Sequence, residues 1–84
     1  MREQKDKQEP IKFFYKGYLV EPSAYRAEDG RTWKARPLIW IKDRESIRIQ
    51  PIYPENNFRT EEEALNNARL IGMQAIDSGI DAQV

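Results

Sequence analysis

The apolar pattern of this chain changes period once, across Phe58-Arg59-Thr60-Glu61-Glu62-Glu63-Ala64, and that switch constrains the fold more than any other feature. Upstream, apolar and polar residues alternate as in strands; downstream, apolar residues recur every three to four positions as in a helix. Thr60 is placed to cap the first turn with its hydroxyl, and Glu63 to accept from the Thr60 N–H, closing a capping box. The chain reads as sheet first and helix last.

Its 84 residues suffice for one domain, near the size at which a single core only just holds. The 14 basic and 14 acidic side chains cancel, which argues against indiscriminate binding to nucleic acid or anionic membrane. The charge is unevenly spread, giving a mildly basic sheet half and an acidic helix half. Cysteine and histidine are both absent. That removes disulfides, a thiolate nucleophile, the commonest general base and the usual metal ligands. No cofactor or metal is expected. No apolar run is long enough to span a bilayer, and Met1–Lys12 has no signal-peptide core, so the expected location is the cytoplasm.

Residues 1–12 mix both charges with almost no apolar content, which predicts a disordered tail. A single domain is expected over 13–80, with a short C-terminal tail over 81–84. Within the domain, Phe13–Val20 is aromatic and β-branched and reads as one strand. Asp29-Gly30 is a hairpin signal, matched to a type I′ turn. Trp33–Lys42 and Ile47–Ile52 supply two further strands. The expected fold is α+β: a three-stranded antiparallel meander packed on one C-terminal helix, a two-layer β-β-β-α sandwich.

Centring the second hairpin on Arg44 places Ile41 opposite Ile47 and Ile39 opposite Ile49, gathering four isoleucines on the core face. Trp40 then lies opposite Arg48, and Leu38 opposite Gln50, on the outer face. Counting back from Asp29-Gly30 puts Pro22 opposite Pro37 in a hydrogen-bonded pair, so a bulge or break is expected there. Tyr18 and Val20 are favoured over Gly17 and Leu19 as the inward residues. The helix is expected over about 61–77, stopped by Gly79, with Ala64, Leu65, Ala68, Ile71, Gly72, Ala75 and Ile76 facing the sheet. Small residues in that stripe predict a close approach.

No constellation suited to catalysis is evident. Consecutive helical residues Glu61, Glu62 and Glu63 point 100° apart and cannot converge on one ion, so they are read as dipole compensation. The surface with something to explain is the outer sheet face, where Lys34, Arg36, Leu38 and Trp40 alternate along one strand beside Arg48 and Ile52. These six are the candidate binding residues. If the third strand lies at an edge, Arg48, Gln50 and Pro51 should discourage strand addition.

Tyr15-Lys16-Gly17-Tyr18-Leu19-Val20-Glu21-Pro22, Asp29-Gly30-Arg31-Thr32-Trp33, Phe58–Ala64 and Gly72–Gly79 together resemble a family of small bacterial proteins of uncharacterised function. That resemblance spans residues 15–79 and implies the β-β-β-α arrangement, with no activity attached. Three strands followed by a helix entered through Phe-x-Thr-x-Glu-Glu-Ala is also similar to the plant ethylene-response type of DNA-binding domain and to phage integrase arm-binding domains. Those lay the sheet in the major groove, which implies roles for Arg36, Trp40 and Arg48. The expectation is a non-enzymatic module that self-associates or docks a protein through the outer face, with DNA binding through that face as the alternative.

Overall fold

The structure, a computed structural model, describes residues 11–80. Both expected tails fall outside the described residues except for Ile11 and Lys12, which are exposed and belong to no strand. In chain order come β1 (Phe13–Tyr15), β2 (Tyr18–Glu21), β3 (Ala24–Arg26), β4 (Trp33–Ala35), β5 (Leu38–Asp43), β6 (Ser46–Pro51) and α1 (Glu61–Asp77). A four-stranded antiparallel sheet has the order β1-β2-β5-β6, and β3-β4 forms a second antiparallel pair. The α+β class is as expected, but six strands replace the three of the predicted meander.

One added strand comes from Lys16-Gly17. The segment read as a single strand folds back there, pairing Tyr15 with Tyr18, Phe14 with Leu19 and Phe13 with Val20. Both turn residues have positive φ, 51° at Lys16 and 87° at Gly17, as a type I′ turn requires.

The long central hairpin keeps the predicted register but not the predicted turn. Glu21 pairs with Leu38 and Ala24 with Ala35, so Pro22 does stand opposite Pro37. The loop is longer than a two-residue turn: Ala27 N–H donates to Thr32 O, and only Gly30 of the pair Asp29-Gly30 has positive φ. That shifts the hydrogen-bonding phase by one residue. Arg36 N–H donates to Ser23 O, so the neighbouring proline pair falls where no ladder bond is due. The prolines are accommodated without a bulge, and the ladder pauses there, dividing one hairpin into β2/β5 and β3/β4. Ser23 helps bridge the pause by donating its hydroxyl to Arg36 O.

The second hairpin departs further. Its turn is Arg44-Glu45 rather than a loop centred on Arg44, pairing Asp43 with Ser46 and Lys42 with Ile47. Arg44 has a φ of 60°, as the first central residue of a type II′ turn does. The register therefore slips by one, which turns every β6 side chain to the opposite face. Ile39 and Ile41 are buried, but Ile47 and Ile49 are 60% and 45% exposed. The expected four-isoleucine core does not exist.

The core that replaces it draws on the helix and the first hairpin. Val20, Ile39, Ile41, Ile76 and Ile80 are buried together, with Phe13, Tyr15, Tyr18 and Ile52 packed against them. Val20 and Tyr18 point inward as favoured. A second cluster joins Ala35, Ala64 and Ala68, flanked by Trp33, Phe58 and Ile71. Phe58 reaches it by exchanging main-chain hydrogen bonds of 2.8 Å with Trp33, which fixes where the chain enters the helix. The small stripe Ala64, Ala68 and Gly72 lets α1 settle directly on the proline-interrupted hairpin.

At the helix start, Thr60 Oγ1 accepts from Glu63 N–H at 3.1 Å, as expected. The return bond differs: Glu63 Oε1 accepts from Arg59 N–H at 3.0 Å rather than from Thr60. Thr60→Ala should lower stability by about 1 kcal/mol in chemical denaturation, because the Glu63 donor loses its acceptor. At the other end Gly79, at φ 89°, stops the helix as read from the sequence.

Asp77 in the last turn ties the helix to the β1–β2 turn. It accepts from Lys16 Nζ at 2.7 Å and from Tyr15 OH at 3.0 Å. The hydrogen bond from Lys16 holds the Asp77 carboxyl below its ordinary pKa, and the same bond raises Lys16. Main-chain N–H groups of Arg31 and Thr32 likewise hold Asp29 low. A depressed carboxylate stabilises the fold fully above its unfolded value, near pH 4, and that contribution disappears as pH falls through the folded value. Melting temperature should thus drop on acidification below about pH 4. Asp77→Asn should flatten that drop in thermal scans.

Candidate functional site

The sheet's two faces are set by the contact with α1, which approaches Val20, Pro37 and Ile39 through Gly72. The neighbours of those residues along each strand point away from the helix. Reading across the register, Phe14 pairs with Leu19, Leu19 with Trp40, and Trp40 with Ile49. One apolar row therefore crosses all four strands of the sheet on its outer side. Leu38 lies beside Trp40 on the same face of β5, and Ile47 beside Ile49 on β6. Phe14 is 74% exposed, while Leu19, Leu38 and Trp40 are half-buried.

Polar groups frame the row and orient its indole. Trp40 Nε1–H donates to Glu21 Oε1 at 3.1 Å, and Lys12 Nζ sits 5.1 Å from the ring centroid. A carboxylate at its N–H and an ammonium over its ring restrain how the indole is presented.

Of the six residues singled out in the sequence, Leu38 and Trp40 share this surface. Lys34 and Arg36 continue the same face along β4 but are engaged locally. Lys34 Nζ donates to Glu55 O at 3.0 Å; Arg36 stacks 5.4 Å from the Tyr25 ring centroid and donates from Nε to Ser23 Oγ. Arg48 and Ile52 are elsewhere. The register slip puts Arg48 opposite Ile41 on the helix side, where Nη1 donates to Gln50 Oε1, and Ile52 packs against the core cluster. Phe14, Leu19, Ile47 and Ile49 take their places. The sequence signals are Lys16-Gly17 as a two-residue turn, which places Phe14 beside Leu19, and an even-numbered loop at Arg44-Glu45, which places Ile47 and Ile49 on this face.

The displaced carboxyl groups, Asp29 and Asp77, are both shifted downward by hydrogen bonds from a turn and from Lys16. A general acid working near neutrality needs the opposite shift. An open depression lined by Tyr25, Ala27, Glu28, Asp29, Lys34 and Asn57 lies beyond the apolar row, at the β3–β4 end. Among the described residues, no helix is long and apolar enough to cross a membrane. No protein-family model matches the chain, and no curated protein or solved structure matches it either.

Proposed function

We propose that this domain is a non-enzymatic interaction module that docks protein through the outer face of its four-stranded sheet. The observation that supports this reading is the row Phe14–Leu19–Trp40–Ile49, flanked by Leu38 and Ile47. Three of the large apolar side chains this small domain leaves exposed, Phe14, Ile47 and Ile49, lie on this one face, around a tryptophan oriented by its hydrogen bond to Glu21. Contiguous exposed apolar area of this kind marks binding surfaces, and tryptophan is enriched among residues that dominate binding energy.

DNA binding through the same face has less to draw on, because Arg48 faces the other way and Lys34 and Arg36 are occupied by neighbours. Salt separates the two readings. Phosphate contacts lose roughly one log unit of affinity per log unit of salt for each phosphate neutralised, whereas apolar docking is nearly indifferent. Sedimentation of the purified protein across salt concentrations, with and without mixed oligonucleotides, should show association that persists at high salt. Phe14→Ser and Trp40→Ala should each weaken it about tenfold or more, as central aromatic contacts do. Oligonucleotide binding that collapses with added salt would replace this reading with the nucleic-acid one.

A further inference from the structure

We infer that the partner is a second copy of this chain, joined to the first edge to edge through β6; this rests on the reading of the outer face as a protein-docking surface, since the joined sheets share that face. Among the described residues β6 has β5 on one side and no strand on the other. The phase of its ladder follows from one bond, Ile52 N–H donating to Pro37 O at 2.9 Å. Bonded pairs alternate in an antiparallel ladder, so Gln50 and Arg48 bond inward to Ile39 and Ile41. Ile47, Ile49 and Pro51 consequently present their main-chain groups to the open side. Pro51, which has no N–H, costs the existing ladder nothing there.

This edge is complementary to itself. Antiparallel pairing about a two-fold axis at Ile49 joins the Ile49 residues by reciprocal N–H···O bonds. Each Ile47 N–H then donates to O of the partner's Pro51. Every outward donor of the segment Ile47–Pro51 is satisfied. On the helix side, Arg48 stands opposite the partner's Gln50, the side-chain type it already bonds within its own strand. The competing register, centred on Arg48, sets two arginines face to face, and like charges directly opposite are destabilising. Arg48 and Pro51 thus select a register rather than simply protecting the edge. Ile49, 45% exposed in one copy, meets its counterpart, Ile47, 60% exposed, stands opposite the partner's Pro51 on the same face, and the apolar rows of both copies run together across a doubled sheet.

Amide hydrogen exchange on the wild-type protein tests this directly. Ile47 and Ile49 amides should gain tenfold or greater protection as concentration rises toward about 1 mM, a range that reaches even weak association. Unprotected amides at every concentration would overturn the inference. Ile49→Pro removes the central donor without touching the β5–β6 ladder and should weaken self-association at least tenfold, whereas Ile49→Val should preserve it. The outer-face variants Phe14→Ser and Trp40→Ala distinguish the two readings. If Ile49→Pro and the outer-face variants each weaken self-association, both stand; if Ile49→Pro alone does, edge pairing survives and the outer-face reading is wrong. If they abolish self-association while Ile49→Pro does not, the copies meet face to face: edge pairing is then wrong and the outer-face reading survives.

Discussion

Truncating Ile39 to alanine is expected to cost about 2–5 kcal/mol of folding free energy, a large share of what a domain of this size possesses. Ile39 is fully buried, and its Cδ1 would stand 3.6 Å from a Cβ added at Gly72. Removing the side chain leaves a void between sheet and helix that neither can close, because prolines and α1 pin the hairpin on both sides. Ile49→Ala should cost no more than about 1 kcal/mol, the span of strand propensity, because Ile49 faces solvent. Urea denaturation of the two variants reads the β5–β6 register directly. Equal losses would mean that Ile39 and Ile49 share the core face and that the hairpin turns on Arg44 after all.

Gly72→Ala comes next in size, and its sign runs against helix propensity. In an exposed helix interior alanine would stabilise by roughly 1 kcal/mol. Here the new Cβ would fall 2.9 Å from Val20 Cγ1 and 3.4 Å from Pro37 Cβ. Neither neighbour yields readily: valine is branched at Cβ and confined to few rotamers, and the proline ring is fixed. Overpacking of this kind costs about 1–3 kcal/mol, so net destabilisation is expected despite the better helix former. A double-mutant cycle with Val20→Ala provides the check. Gly72→Ala should be markedly less harmful in the Val20→Ala background, since the clashing methyl is gone. Purely additive losses would show that the helix stands further off.

Elements governed by neighbours in sequence were legible. The capping threonine, the helix limits, the glycine stop and the small-residue stripe follow from contacts within a few residues, and all but the return bond of the capping box took the expected form. The inward facing of Tyr18 and Val20 also followed, because a glycine contributes nothing to a core. The candidate site was only half legible. Trp40 and Leu38 were found from strand alternation, but their cross-strand neighbours were misassigned. Burying four isoleucines looks favourable when strands are counted alone. The helix, however, covers only part of the sheet, and β6 lies beyond its edge.

The amino-acid order alone determined an α+β chain with its helix last, the pairing of Pro22 with Pro37, and an outward indole. Tertiary structure decided which side chains surround that indole. A strand has a period of two, so the length of one turn chooses between two opposite faces, and sequence states turn length only weakly. Lys16-Gly17 and Arg44-Glu45 made that choice here, setting Phe14 and Ile49 in line with Leu19 and Trp40 and sending Arg48 to the other side.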